Sequence, residues 1–256
     1  MTTTTRPMLH CILRHPPRAS ALSAGLPAGL RLLALDHLGA LVADVEPDAI
    51  RRADSDRLTA YADLIARIHQ TETLIPMRFG CVLATDQAIL TLLDKHRDRL
   101  LTLLDHLADC VEFGVRLMLP DPPAPTLAAT GSRPAPPHPG AQVRPDQDPR
   151  PGHGHLAAIR QRLNGEAQAV ARAQAAKGTL ERAVPGLFRE LREEFGQIGG
   201  HSLLSLYFLV PREVSARFVA GLQQDQSAVP GTGLITGPWP PYNFVGAIDD
   251  DLRSFT

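Results

Sequence analysis

The sequence TGPWPPYNFV, from Thr236 to Val245, contains the only tryptophan of this 256-residue chain, Trp239, with prolines on both sides. Proline has no backbone N–H and holds φ at about −65°, so this stretch is excluded from the centre of a sheet and is expected to be extended or turned. A stiff segment with aromatic rings loses little conformational entropy when it docks. Two roles stay open: Trp239 fills a seam between domains, or the segment is an exposed surface for partner contact.

A second block, IPMRFG from Ile75 to Gly80, lies in an apolar run from Leu74 to Leu83 that predicts a strand. Pro76 limits backbone pairing on one side of this strand, so Arg78 is expected at a sheet edge. There it is either solvated or ion-paired, or it contacts an anion or a partner.

Around this block, alternating and helical patterns predict a first unit with the order β-β-β-α-β-α-β. The predicted strands are 8–13, 30–35, 38–45, 74–83 and 110–119, and the predicted helices are 56–69 and about 86–107. The 30–35 and 38–45 strands should form a hairpin. Residues 1–119 are therefore predicted to be an α+β domain, a ferredoxin-like variant with helices on one face of the sheet.

Residues 120–151 are rich in proline and have no apolar periodicity, so they are predicted to be a flexible linker. Residues 152–256 are predicted to form a second, smaller and helix-rich α+β domain. Its first predicted element is a helix over about 154–176, with an apolar seam of Leu156, Ile159, Leu163, Ala167 and Val170. A second helical segment contains Leu187, Leu191 and Phe195. A strand over 201–210, a helix that begins at Pro211 and a strand near Leu234 are predicted to follow.

Composition excludes several classes of protein. With 26 basic and 27 acidic residues the chain has a net charge of −1, so a surface that tracks nucleic-acid phosphates has no support. The three cysteines, Cys11, Cys81 and Cys110, have no C-x-x-C spacing and are expected to be reduced thiols of a cytoplasmic protein. No signal peptide and no apolar run of about 20 residues is present, so no membrane contact is predicted.

No catalytic motif is present. The chain has no phosphate-binding glycine loop, no H-E-x-x-H and no G-x-S-x-G sequence. His153 and His155, two residues apart without a nearby thiol or carboxylate pair, make a weak metal site. We therefore predict no enzyme, no cofactor and no metal. An enzyme that uses His201 or this histidine pair, and a ferredoxin-like module that senses a small ligand, are the alternatives.

The TGPWPPYNFV block resembles the C-terminal signature of the gas vesicle protein F/L family, and IPMRFG resembles the other recurrent block of that family. The resemblance implies two α+β domains and a non-enzymatic role in gas vesicle assembly and structure. It also implies binding to the hydrophobic shell subunit, gas vesicle protein A, and to other accessory gas vesicle proteins. The implied location is the cytoplasm, in association with the vesicle.

A shell subunit with apolar surface and open strand edges aggregates unless another protein covers it. A stiff aromatic segment and accessible sheet edges would supply that cover by apolar docking and strand addition. The partner-binding residues are accordingly predicted to be Arg78, Phe79, Gly237, Pro238, Trp239, Pro240, Pro241 and Tyr242.

Overall fold

The computed structural model describes residues 5–17, 29–119, 151–199, 201–225 and 232–246, without the side chains of 151–164, 166, 225 and 232. The predicted linker lies outside these residues, except for Pro151, where a long helix begins. The described chain is a mixed α+β structure with two four-stranded antiparallel sheets, which confirms the predicted fold class.

The first sheet has the strand order β2-β3-β1-β4. Its unit consists of β1 (Arg6–Arg14), β2 (Leu30–Leu35), β3 (Leu38–Val45), α1 (Pro47–Arg51), α2 (Ser55–His69), β4 (Leu74–Pro76), α3 (Asp86–Lys95) and α4 (Arg97–Leu107). The β2–β3 hairpin forms as predicted, with Leu35 opposite Leu38 and a positive φ of 49° at Asp36 in the turn.

Helices cover both faces of this sheet, whereas the sequence predicted helices on one face. The helix α2 packs through Tyr61 and Ile65 in one cluster of buried residues, while α3 and α4 pack in another. The reason lies in the central strand β1, which is buried at every position from Pro7 to Leu13. A strand that is apolar on both faces needs a helical layer on each side.

The predicted helix over 86–107 is interrupted at His96, whose backbone (φ −111°, ψ 16°) leaves the helical region between α3 and α4. The apolar stripe continues across this break, because Leu92, Leu93, Leu100 and Leu104 all pack in the same core. The periodicity of the sequence therefore does not reveal the interruption.

The second sheet has the strand order β6-β7-β5-β8. Its unit consists of β5 (Cys110–Leu119), α5 (Pro151–Ala183), β6 (Glu190–Ile198), β7 (His201–Pro211), a short 3-10 turn (Arg212–Val214), α6 (Ser215–Asp225), β8 (Thr232–Trp239) and a final 3-10 turn (Tyr242–Phe244). The helices α5 and α6 pack on one face of the sheet, against a layer that includes Phe113 and Phe208.

The prediction that 110–119 completes the first sheet is wrong. The strand β5 pairs along its whole length with β7, from Cys110 opposite Pro211 to Leu119 opposite Ser202, and with β8 on its other side. Its alternation of apolar residues correctly indicates one buried face, but the partner strands lie far away in the sequence. The division of the chain at residues 119 and 151 itself stays a prediction.

Two helical predictions in the second unit also need correction. The segment with Leu191 and Phe195 is the edge strand β6, not a helix. In the part of α5 with described side chains, Val170 is exposed and the buried positions are Ala169, Ala173, Ala176 and Leu180, three of them alanines. Small residues face the core because α5 and α6 approach closely: a Cβ on Gly221 would lie 2.8 Å from the Ala183 carbonyl oxygen.

The two units share a hydrophobic core. Cys110 and Leu209 of the second sheet and Phe244 and Val245 of the C-terminal segment belong to the same buried cluster as the first sheet and its helices α3 and α4. A shared core of this kind means that the two units do not bury their apolar residues independently.

Candidate partner-binding site

The predicted block around Arg78 forms a tight turn, not a continuous strand. The strand β4 ends at Pro76, Cys81 N donates to the Arg78 carbonyl at 3.3 Å, and Gly80 has a positive φ of 91°. After the turn the chain returns to β1, where Val82 forms a bridge with Met8. The placement of Arg78 on a strand edge is therefore wrong: its exposed side chain lies on a turn that projects between two stretches paired with β1.

Phe79, which follows Arg78 in this turn, borders a pocket of about 300 Å³. Met8, Val45, Ile50, Leu64 and Tyr61 contribute most of its apolar wall, and Arg57 adds a cationic group. Tyr61 fixes the turn, because its hydroxyl donates to the Met77 carbonyl at 2.8 Å and its ring contacts Phe79 edge-on at 5.3 Å. Burial raises the pKa of the Tyr61 phenol, which keeps this hydroxyl a donor.

The second predicted block begins in the edge strand β8. Gly237, Pro238 and Trp239 are the last residues of this strand, and Trp239 lies opposite Glu112 of β5. The exclusion of the block from the centre of the sheet is confirmed, because β8 is at the edge. The Trp239 side chain is 49% exposed, so the tryptophan does not fill a seam between the domains.

The residues after Trp239 do enter such a seam. Pro240 and Pro241 are buried, and Tyr242 packs on the cluster of residues that Phe79 also contacts. Burial raises the pKa of Tyr242 to about 12. Phe79 and Tyr242 thus pack on the same cluster, although they belong to different units, and Trp239 lies just before Tyr242 on the surface of the second sheet.

Part of the face of the second sheet opposite α5 and α6 carries exposed apolar side chains, whereas Cys110 and Leu209 of the same face are buried in the shared core. In antiparallel pairs, residues directly opposite each other share a face, and the register pairs Arg116 with Leu234 and Met118 with Leu203. Leu234 is 57% exposed and Met118 is 45% exposed. Together with Trp239 they form what we call the open face: Arg116, Met118, Leu203, Leu234 and Trp239.

Asn243 anchors the C-terminal segment that follows Trp239. Its backbone N–H and its side-chain amide donate to the two carboxylate oxygens of Glu112, at 2.8 and 2.6 Å. Arg192 donates to the Asn243 carbonyl at 2.7 Å and lies over the Phe244 ring at 5.2 Å. Burial raises the pKa of Glu112, while the Asn243 hydrogen bonds and the charge of Arg192 act in the opposite direction.

A groove of about 440 Å³ lies between α4, β6 and the C-terminal segment. Leu103, Phe244 and Val245 form its apolar floor, and Arg99 and Arg192 are among its polar walls. A cavity between two structural units is a common place for a small ligand.

The sequence patterns missed Glu112, Arg192 and Glu190 as contributors to this region. A charged residue within an apolar strand, such as Glu112 in β5, is the signal that would have indicated a buried polar contact. Within the described residues no three His, Cys, Asp or Glu side chains are grouped as a metal site requires. The side chains of His153 and His155 lie outside the described part of the chain.

Among the helices of the described ranges, none is long and apolar enough to cross a membrane.

Comparison with known proteins gives a consistent picture. The family of gas vesicle synthesis proteins GvpL/GvpF matches residues 8–246. A relative from Streptomyces sp. (strain CB03234), gas vesicle protein F, is 30% identical over 230 residues, which cover 86% of this chain and 89% of the relative. Gas vesicle protein L of the same strain is 24% identical over 217 residues, which cover 78% of this chain and 72% of that protein.

Two crystal structures have a similar fold at 16% sequence identity. The gas vesicle protein GvpF from Microcystis aeruginosa matches with a TM-score of 0.65 over 94% of this chain and 99% of its own. GvpF from Anabaena sp. PCC7120 matches with a TM-score of 0.64 over 94% of this chain and 96% of its own.

Proposed function

The chain belongs to the family of gas vesicle synthesis proteins GvpL/GvpF and so has a role in gas vesicle formation, and from that premise we propose that it binds the hydrophobic shell subunit of the vesicle. In this proposal the protein makes and breaks no covalent bond. It acts in the cytoplasm and at the vesicle, where it covers apolar surface of the shell subunit, gas vesicle protein A, and contacts other accessory gas vesicle proteins.

The observation that carries the proposal is the exposure of Trp239 on the open face. Tryptophan, with its large rigid ring, is enriched among the residues that contribute most to protein interfaces. A contiguous exposed apolar area on a folded protein is typical of an interaction surface. Leu234 and Met118 are further exposed apolar side chains of the same sheet, and Arg116, opposite Leu234, adds one cationic group.

Gly237 and Pro238 support the presentation of Trp239. A Cβ at position 237 would lie 2.7 Å from the Glu112 carbonyl oxygen, so glycine permits the close approach of β8 to β5. Pro238 removes a backbone donor from the edge strand, which limits the addition of a partner strand at this position. A partner would therefore be contacted through side chains. Pro240 and Pro241 then direct the chain into the seam.

Arg78 and Phe79 form the second contact of the proposal. The pocket beside Phe79 is large enough to receive an apolar side chain, and Arg78 is exposed on the same turn. Tyr242 links the two contacts, since it packs on the same cluster as Phe79 and follows Trp239 by three residues.

Co-purification of the full chain with the shell subunit tests the proposal. Trp239→Ala and Arg78→Ala are expected to reduce the captured subunit, because each removes an exposed contact without emptying the core. Phe195→Ala is the matched control, since Phe195 is 44% exposed on the same sheet but faces the side of the helices, opposite Leu204. Equal capture by folded Trp239→Ala, Phe195→Ala and unmodified protein would show that the open face is not the contact.

The groove between α4 and β6 favours one alternative, a module that senses a small ligand. Its volume and its mixture of an apolar floor with the charged side chains of Asp98, Arg99 and Arg192 suit a small amphipathic ligand. In that case a metabolite would raise the melting temperature of the full chain in a saturable way, and Leu103→Glu would abolish the shift. Capture of the shell subunit would be unaffected by the same substitution.

A further inference from the structure

The residues from Pro240 to Gly246, which we call the seam segment, connect the open face to the first unit. They follow the edge strand β8 directly, and Phe244 and Val245 then enter the buried cluster that contains Leu9 of β1 and Leu104 of α4. The position of this segment therefore depends on both units, while its first neighbour, Trp239, lies on the surface.

Glu112 holds the seam segment from the second sheet. Only 4% of Glu112 is exposed, and it lies near the start of the apolar strand β5. Its two carboxylate oxygens accept hydrogen bonds from the backbone and side-chain amides of Asn243. A buried carboxylate is stable only where its oxygens accept hydrogen bonds. Both oxygens are used for one residue of the seam segment, which fixes the segment in position and in rotation.

Arg192 holds the segment from its other side. Its guanidinium donates to the Asn243 carbonyl at 2.7 Å, covers the ring of Phe244, and donates to Glu190 at 2.8 Å. Glu190 in turn pairs with His106 of α4 at 2.7 Å. The chain of contacts thus runs from the seam segment through β6 to a helix of the first unit.

We infer that Glu112 and Arg192 are positioning residues that hold the seam segment between the two units and thereby set the direction in which Trp239 is presented to a partner. They touch no partner themselves. The inference rests on the proposed function, since it assigns the residues that make the Trp239 contact competent. A rigid presentation matters because a contact held in its binding geometry loses less entropy on association than a mobile one.

The test uses the full chain and compares Glu112→Ala with the conservative Glu112→Gln. An alanine leaves the Asn243 amides without acceptors, while a glutamine retains an acceptor for the backbone N–H. Glu193→Ala is the matched control, because Glu193 is next to Arg192 on β6 but pairs with Lys177 on the helix-covered side. Trp239, as the only tryptophan, reports on its own mobility through fluorescence anisotropy.

Three results are expected for Glu112→Ala. Hydrogen exchange at the Asn243 amide becomes faster by about tenfold or more, as for loss of a bond to a charged acceptor, while exchange at the core residue Phe208 stays unchanged. The anisotropy of Trp239 falls. Capture of the shell subunit falls by about tenfold, and Glu112→Gln restores most of it.

Opposite results would overturn the inference. Equal acceleration of exchange at Asn243 and Phe208 would mean that Glu112 only stabilises the fold. If Glu112→Ala captures as much shell subunit as the unmodified protein although its Trp239 is mobile, the direction of the Trp239 side chain is irrelevant to binding. If unmodified protein captures no shell subunit, the proposed function fails, and exchange and anisotropy alone then decide whether Glu112 positions the segment.

Discussion

Replacement of Trp239 by alanine should weaken partner binding strongly and stability only moderately. Replacement of Phe244, five residues later, should instead act mainly on stability. Trp239 is half exposed, while Phe244 is 2% exposed and lies under the guanidinium of Arg192. Both residues belong to the same block of sequence, but only the phenylalanine belongs to the shared core. The two alanine variants should therefore have opposite profiles.

The magnitudes follow from burial. Truncation of a fully buried Phe or Trp costs about 3–5 kcal/mol, and with 49% of Trp239 already in water the free energy of unfolding should fall by roughly 1.5–2.5 kcal/mol. Phe244→Ala should cost the full 3–5 kcal/mol or so, plus about 0.5–1 kcal/mol from the lost contact with Arg192. At about 2–4 °C per kcal/mol, the melting temperature should fall by roughly 3–10 °C for Trp239→Ala and clearly more for Phe244→Ala.

Binding should follow the reverse order. Loss of an aromatic anchor from an interface costs about 2 kcal/mol or more, which corresponds to a roughly thirtyfold weaker Kd for the shell subunit. Unfolding must be followed by far-UV circular dichroism, because Trp239→Ala removes the only tryptophan and its fluorescence. An equal loss of stability in both variants, or full affinity in a folded Trp239→Ala protein, would refute this division of roles.

Three further predictions concern buried charge and backbone geometry. Burial raises the pKa of Glu112 above its ordinary 4.5, so its contribution to stability is lost as the pH rises through the raised pKa. In urea titrations Glu112→Gln should therefore gain stability relative to the unmodified protein as the pH is raised above 4.5. Burial and the charge of Arg212 lower the pKa of His69 from 6.5 to about 4, so the protein loses stability as the pH falls through this range. In thermal melts over the same pH range, the loss of stability should be smaller for His69→Gln than for the unmodified protein by roughly 3 kcal/mol. In thermal melts Gly237→Ala should lower the free energy of unfolding by about 1–3 kcal/mol or more, because φ is 120° at this residue and the new Cβ meets the backbone of β5. The control Gly196→Ala, on the open edge of β6, should change that free energy by about 0.5 kcal/mol at most.

Local patterns predicted most of the elements, because they depend on neighbours in the sequence. The β2–β3 hairpin follows from two apolar runs separated by Asp36 and His37, and α3 begins where Thr85 accepts from the Ala88 amide. The mixed α+β class follows from these elements. Their assignment to sheets does not, because β5 pairs with strands about 80 residues or more further along the chain, from Leu119 opposite Ser202 upward.

The strand β6 shows why a local pattern can mislead. Leu187, Leu191 and Phe195 are spaced four residues apart, which fits one face of a helix. In the structure Leu187, which precedes β6, and Leu191, opposite Phe208, both pack on the core, while Phe195 is 44% exposed at the sheet edge. The backbone pairing that β7 offers outweighs this weak helical pattern.

The residues of the candidate site were predictable as residue types but not as an arrangement. Prolines around Trp239 correctly excluded a central strand, and the aromatic content indicated a contact surface. The sequence could not show that Trp239 is exposed while Phe244 is buried, since both are large apolar residues in one block. Phe244 is buried by residues of both units, and Glu112 and Arg192, which lie in other strands, bind the neighbouring Asn243.

The distribution of prolines and charges favours contact through the open face over strand addition at the sheet edges. At one edge of the second sheet β8 contains Pro238, and at the other edge β6 contains Glu193 and Glu194. Proline and charged residues are the features by which natural edge strands resist pairing with another chain. The exposed side chains of Met118, Leu234 and Trp239 belong to β5 and to the edge strand β8. A protein with this arrangement can offer an apolar surface to a hydrophobic partner while its own sheet edges stay protected from aggregation with that partner.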